Sequence, residues 1–369
     1  MRVLFHSRTT LFSVPGGDTV QVLKTKEYLE KLGVCVHIAT GGEPDLSGYD
    51  LVHLFNLVRP QDILIQTRRA RKQGKKIALS TIYAIYTEYD RSVRDGVAGF
   101  LSNHFSTSSL EYMKTIARVV KNKEFHEGTW RYLACGHRKS QCEILASIDL
   151  LLPNSASEFK RVSHDFPSAH NGVTLIVPNA VDVALFNPGE TVVSPEAAKY
   201  EGCILCVARI EGIKSQLNLV RAMKGLPWQL LLIGKPAPNH LDYYEKVVKE
   251  GGDNVHLLGQ IDHELLPQYY KMAKVHALIS WMETTGLSSL EAACMGCNLV
   301  ITEKGDTRDY FGDYAYYCDP ESVDSIRAAL VRAYEAPVNP LLRRRVLNNF
   351  TWEHTARKTL EGYSLVLND

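Results

Sequence analysis

Short apolar runs recur along the chain, separated by stretches long enough for a helix, and this alternation is the strongest constraint on what it can fold into. In the first half the runs are Val3–Phe5, Val34–Ala39, Leu51–Leu57, Ile77–Leu79, Ile148–Leu152 and Thr174–Val177. Between the first two, Val22, Leu29 and Leu32 follow helical spacing within Thr19–Leu32, and Gly33 is placed to end that helix. A second helix is expected over Gln61–Gln73. The second half repeats the grammar with Cys203–Ala208, Gln229–Ile233, Val255–Leu258, Val275–Ser280 and Leu299–Thr302. Strands joined by helical crossovers make parallel sheets, so the chain reads as α/β, with two doubly wound, Rossmann-like domains.

A chain of 369 residues, 45% hydrophobic, is long enough for two such domains. They are expected over 1–180 and 201–351, joined by a linker at 181–200 that holds Pro188, Gly189 and Pro195 and lacks periodicity. A ligand cleft is expected where the two domains face each other. Residues 100–141 are polar, basic and poorly periodic, which leaves their structure open and suits a lid or an acceptor-side insertion.

The net charge of +1 conceals an asymmetry: residues 1–180 hold 23 Lys+Arg against 17 Asp+Glu, a balance of +6, and the remainder is −5. Spread over 180 residues this is modest, and with no nucleic-acid module present such a partner is not expected. Met1 leads straight into a strand without a signal-like segment, and no apolar run approaches the roughly 20 residues a membrane span needs. The expected location is cytoplasmic, with the inner face of a membrane as the one peripheral site.

Eight cysteines in such a chain read as reduced core thiols. Two Cys-x-x-Cys pairs invite a zinc reading, but Cys203 and Cys206 lie in one strand whose period of two sends them to opposite faces, and Cys294 and Cys297 follow almost ninety residues later. No metal is expected.

The most informative segment is Ser280-Trp-Met-Glu-Thr-Thr-Gly-Leu-Ser-Ser-Leu-Glu291, where a strand passes through a Gly-containing turn into a helix. Ligands of open α/β sheets bind at that strand edge, and a helix start offers unpaired N–H groups and partial positive charge to a diphosphate. Glu283 lies in the turn and Glu291 in the helix, where a carboxylate suits a vicinal diol such as a ribose; a surface glutamate is the plain alternative. Arg209, just past a strand, and Lys214, near the next helix start, supply a planar fork and a point charge that suit a departing diphosphate, unless both are solvated loop charges.

With these residues in place the chain resembles family 4 of the retaining, GT-B-fold glycosyltransferases, also called group 1. The marks are Pro15-Gly16-Gly17, Val177-Pro-Asn-Ala-Val-Asp182, Arg209 with Lys214, Leu257-Leu-Gly259, the Glu283-x7-Glu291 pattern, and Gly305 to Gly312 through Asp319-Pro320. They cover nearly all of the second half and, more loosely, the first. The resemblance implies transfer of a sugar from a nucleoside-diphosphate donor to an acceptor hydroxyl, in polysaccharide or glycolipid assembly and without a cofactor. It places Arg209 and Lys214 on the diphosphate, Glu291 on the ribose, and Glu283 with the following backbone on the donor sugar, with Thr285, Gly286, Leu287 and Ser288 among the donor-binding residues. Gly16 and Gly17 would form a close-approach loop, Asn179 would mark the crossover, and residues 352–369 would close back on the first domain.

Two positions depart from the family pattern: Tyr83 stands where many relatives carry a His after a first-domain strand, and Asp309 where many carry Glu. Tyr83 and His53, at a neighbouring strand edge, are the acceptor-side candidates, although a lone His is more often a satisfied structural residue. The chain has no Asp-x-Asp, the motif with which transferases of the other main fold hold a divalent cation, so metal independence is expected. Arg68, Arg69, Arg71, Lys72, Lys75 and Lys76 form a basic cluster on and after a helix that also carries Ile63, Leu64 and Ile65. Such a surface suits an anionic membrane and a lipid-linked acceptor, or is simply a solvated face. The competing readings are a sugar-nucleotide epimerase or hydrolase and a catalytically silent sugar-nucleotide-binding protein. A dinucleotide oxidoreductase is disfavoured because Gly16-Gly17 lacks Gly-x-Gly-x-x-Gly spacing.

Overall fold

The computed structural model describes residues 1–86, 88–89, 107–122, 127–167, 169–238 and 240–368. The chain divides into two compact units, one of Met1–Asn179 with Trp352–Asp369 and the other of Ala180–Thr351.

The first unit is built on a six-stranded parallel sheet in the order β2-β1-β3-β4-β5-β6, with β1 at Arg2–His6, β2 at Cys35–Ala39, β3 at Leu51–Phe55, β4 at Lys76–Ser80, β5 at Leu150–Leu152 and β6 at Val173–Thr174. Strand order reverses between β1 and β3, so the loops after these strands diverge and leave a crevice at their carboxyl ends. Helices α1 (Gly17–Lys31) and α2 (Pro60–Lys72) follow β1 and β3. The apolar side chains on α2 that the sequence offered as one face of a membrane-binding helix pack inward: Ile63 and Leu64 are fully buried in the core.

Within the stretch left open by its sequence, residues 107–122 form α3, 127–135 form α4 and 137–146 form α5; 100–106 and 123–126 lie outside the described residues. Tyr112 ties α3 to α4 by donating to Leu133 O at 2.7 Å, and α4 and α5 pack on α2. The C-terminal helix Trp352–Leu367 contributes Ala356, Tyr363 and Val366 to the core cluster formed by Val3, Phe5 and Leu150.

The second unit has its own parallel sheet, ordered β12-β11-β10-β7-β8-β9. Its strands are β7 (Cys203–Val207), β8 (Leu230–Ile233), β9 (Val255–Gly259), β10 (Ala273–Leu278), β11 (Asn298–Thr302) and β12 (Tyr316–Cys318). This is the doubly wound order, and the reversal falls between β7 and β10. Along β7 the period of two places Cys203 in the core cluster on one face and Cys206 in the cluster on the other. Burial pushes both thiols up to about 12, the state of inert core cysteines. Residues 181–200, expected as a linker, are built into this unit: Val181 N donates to Phe350 O at 2.9 Å and Phe186 is 1% exposed in its core. Among the described residues no helix is long and apolar enough to cross a membrane, and no group of three His, Cys, Asp or Glu could hold a metal ion.

Burial also holds three histidines neutral, lowering His6 to about 4 and His53 and His276 to about 3. The unfolded chain takes up these protons near pH 6.5, whereas the folded protein does not until pH 3–4, so below pH 6.5 the unfolded state binds more protons. Stability should therefore fall as pH falls, by up to about 1.4 kcal/mol per pH unit for each histidine. Denaturant unfolding at pH 7 and pH 5 checks this: a lower midpoint is expected at pH 5, and an equal or higher one would contradict it.

Candidate functional site

The reversal in the second sheet sets β7 beside β10, so the loops leaving their carboxyl ends are neighbours. After β7 the chain forms a single 3-10 turn, Gly212–Lys214, then a left-handed Ser215 whose Oγ donates to Pro320 O at 3.2 Å. After β10, Trp281 N donates to Ile213 O at 2.9 Å, which stitches the second loop to the turn that bears Lys214. The side chains then meet: Lys214 Nζ lies 2.5 Å from Glu283 Oε1, and Ser280 Oγ donates to the same oxygen at 2.5 Å.

Glu283 is also fixed through its backbone. Its N–H donates to Lys304 O at 3.2 Å, and its carbonyl accepts from Asp306 N at 2.8 Å. Gly305 sits against that carbonyl at φ +90°, where an added Cβ would stand 2.1 Å from Glu283 O. Thr302 donates to Ser280 O at 2.5 Å, so the end of β11 supports the same loop. Gly286, left-handed at φ +73°, then opens the helix Leu287–Met295 with no side chain of its own to cap the first-turn N–H groups. One loop therefore offers an anchored carboxylate and the positive end of a helix.

Other expected donor-side residues are arranged differently. Arg209 is half-exposed and pairs with Glu211 at 3.3 Å rather than with Glu283, so only Lys214 of the two cations meets that carboxylate. Thr285 is 2% exposed, with Oγ1 3.3 Å from the Tyr310 hydroxyl, so its side chain points into the protein and what it presents is backbone. Leu287 is half-buried against the core, and Ser288 is half-buried at the helix start. Glu291 has both carboxylate oxygens engaged, one 2.9 Å from His263 Nε2 and the other accepting from the Tyr270 hydroxyl at 2.9 Å. Burial, with the neighbouring Glu291 carboxylate, raises Tyr270 well above its ordinary value and keeps it a donor. Neither His263 nor Tyr270 carried a motif signal; both become visible only when β9, β10 and the Glu291 helix are assembled.

In the first unit, Gly16 is extended at φ −152° and caps α1, whose first residue is Gly17. Their loop is organised by a residue that the sequence did not single out. Arg8, 7% exposed, pairs bidentately with Asp18 at 2.6 and 2.9 Å and donates to Thr10 O and Val14 O at 2.7 and 2.9 Å. Both acceptor-side candidates are buried and hydrogen-bonded within the first unit. His53 is 1% exposed with Nδ1 2.6 Å from the Tyr363 hydroxyl and Nε2 2.9 Å from Ser80 Oγ, so both ring nitrogens are occupied internally. Tyr83 is buried and donates to Asp165 at 2.8 Å, while burial raises its hydroxyl far above the usual range.

The basic cluster is likewise drawn into the fold. Arg68 pairs with Glu143, Arg69 with Glu43 and Arg71 with Asp149, and Lys75 donates to Tyr49 O at 2.8 Å. Lys72 is exposed and Lys76 half-buried in β4; three of the six cations, Arg68, Arg69 and Arg71, are thus paired with carboxylates of the first unit.

Residues 192–350 match the family model described as glycosyl transferases group 1. The chain is similar to the D-inositol 3-phosphate glycosyltransferase of Mycobacteroides abscessus, with 25% identity over 390 residues covering 96% of this chain and 85% of the relative. Among solved structures it is similar to sucrose-phosphate synthase from Thermosynechococcus elongatus, with a TM-score of 0.72 at 18% identity over 100% of this chain and 99% of the other. It is also similar to Anabaena HepE in complex with UDP and glucose, with a TM-score of 0.67 at 14% identity over 99% of both chains.

Gly305→Ala should displace the Glu283 carbonyl and force a side chain into left-handed backbone, costing about 1–3 kcal/mol or more. Equilibrium unfolding measures it; a variant as stable as the parent would show that Gly305 does not hold Glu283.

Proposed function

We propose that this chain, whose residues 192–350 match the group 1 glycosyl transferase model, is a glycosyltransferase of that group and moves a hexosyl unit, with retention, from a nucleoside-diphosphate sugar to a hydroxyl of a carbohydrate or lipid-linked acceptor. The observation that carries this reading is the Lys214–Glu283 pair beside the uncapped start of the Leu287–Met295 helix. A diphosphate at that edge meets a cation and first-turn amides, and a sugar attached to it meets a carboxylate whose backbone is fixed.

In the proposed reaction the bond from the anomeric carbon to the donor phosphate oxygen breaks, and its electron pair leaves with the nucleoside diphosphate. The acceptor oxygen bonds to the anomeric carbon on the same face, and its proton passes to the departing phosphate oxygen. Lys214 and the helix amides stabilise the charge that develops, Glu283 orients the sugar, and neither carboxylate acts as a nucleophile. Lys214, with Arg209 on the same loop, supplies the positive charge that a divalent cation would otherwise bring. Polysaccharide or glycolipid assembly is the setting consistent with such an acceptor.

Two measurements test this. Glu283→Gln should lower transfer by roughly a hundredfold or more while leaving nucleoside-diphosphate affinity within about threefold, because the positive groups remain; unchanged turnover would remove Glu283 from the reaction. Transfer should persist in excess chelator, and its full loss with recovery on adding manganese or magnesium would contradict the role given to Lys214. Consumption of donor without acceptor would favour an epimerase or hydrolase instead.

A further inference from the structure

The two oxygens of the Glu291 carboxylate are engaged by partners of unlike character. Tyr270, on the helix Leu266–Met272, is fully buried and donates its hydroxyl to Oε2 at 2.9 Å. Its ring stands against Phe186 and His276, with centroids 5.8 Å apart in each case, and its carbonyl accepts from Cys297 Sγ at 3.2 Å, so the residue is fixed at both ends by close packing. His263, in the turn His263–Leu265 after β9, meets Oε1 with Nε2 at 2.9 Å, yet its side chain is 42% exposed. One carboxylate oxygen is held from inside the fold and the other from its surface.

Glu291 also stands where a ligand docked at the helix start would reach it. Leu287 opens the helix and Glu291 follows four residues on, so the two share a face about 6 Å apart along the axis. Side chains on a helix lean toward its N-terminus, which turns the carboxylate back toward the first-turn N–H groups. A carboxylate accepts hydrogen bonds and does not donate them, so Nε2 of His263 carries the hydrogen in its contact with Oε1. A group that takes the place of His263 must donate as well, and among the parts of a nucleotide that follow a diphosphate the ribose hydroxyls do so.

We propose that Tyr270 and His263 are positioning residues for ribose recognition: Tyr270 is the fixed anchor of the Glu291 carboxylate, and His263 is a removable partner whose place is taken by the 2′ and 3′ hydroxyls of a nucleoside diphosphate. A vicinal diol offers two donors side by side, which suits a carboxylate held in one plane. A 2′-deoxyribose offers one, and a carboxylate able to turn no longer tells the two apart. The inference rests on the donor reading above, which sets a diphosphate at the start of the same helix.

Calorimetric titration of the full chain with uridine, guanosine and adenosine diphosphates, each beside its 2′-deoxy form, tests it, with inorganic pyrophosphate as the probe that lacks a ribose. The ribonucleotide that binds tightest should be preferred over its deoxy form by roughly tenfold, the contribution of one hydrogen bond to a charged group. Tyr270→Phe should cut that preference to about threefold or less while pyrophosphate affinity stays within about twofold, whereas a merely structural tyrosine would weaken all of these probes alike. His263→Ala should tighten the ribonucleotide by roughly threefold with the preference kept, since no partner then has to leave. If Tyr270→Phe does not fold, the His263→Ala result decides. An undiminished preference in Tyr270→Phe, or ribonucleotide binding that His263→Ala leaves unchanged or weakens, would overturn the inference. Equal binding of the ribo and deoxy forms by the parent protein would also overturn it and leave the donor reading standing. Failure of every diphosphate to bind would remove the donor reading, and this inference with it.

Discussion

Adjacency of β7 and β10 in the second sheet is the constraint from which the geometry around Lys214 and Glu283 follows. These strands flank the reversal of strand order, so their following loops stand side by side at the carboxyl edge. A hydrogen bond from Trp281 to Ile213 locks the loops together, and the Lys214–Glu283 pair closes across them. The cation and the carboxylate satisfy each other. In the proposed reaction a diphosphate would exchange partners with Lys214 and release Glu283 for the sugar, the cost of breaking the pair being offset by a charge with more acceptor oxygens and by the helix amides.

The first unit solves a different problem at its own reversal between β1 and β3. Its long β1–α1 loop carries Pro15-Gly16-Gly17 and has no regular structure of its own until α1, so shape comes from Arg8, whose guanidinium gathers Asp18, Thr10 and Val14 around one planar group. The C-terminal helix contributes in a comparable way, with Tyr363 reaching His53 in the central strand β3.

Much of the fold was legible because parallel strands buried on both faces leave continuous apolar runs, as at Leu230–Ile233, and because Gly33 and Gly286 stand where helices stop or start. The opposite faces of Cys203 and Cys206 followed from strand periodicity alone. Spacing also singled out Lys214 and Glu283, since each follows a strand by a few residues. Partner choice was not legible. The basic stretch 68–76 looked like an open cationic surface because Glu43, Glu143 and Asp149, which neutralise it, are distant in sequence. His53 looked like an edge residue, yet its neighbour Tyr363 lies 310 positions away.

The central claim is that a diphosphate docks at the switch point of the second sheet. A crystal structure of the protein with a bound nucleoside diphosphate tests it most directly. Phosphate oxygens should lie at hydrogen-bonding distance, about 2.7–3.2 Å, from Lys214 Nζ and from amides at Gly286–Ser288, with Lys214 withdrawn from Glu283. A diphosphate bound elsewhere, with the Lys214–Glu283 pair still closed, would contradict the account.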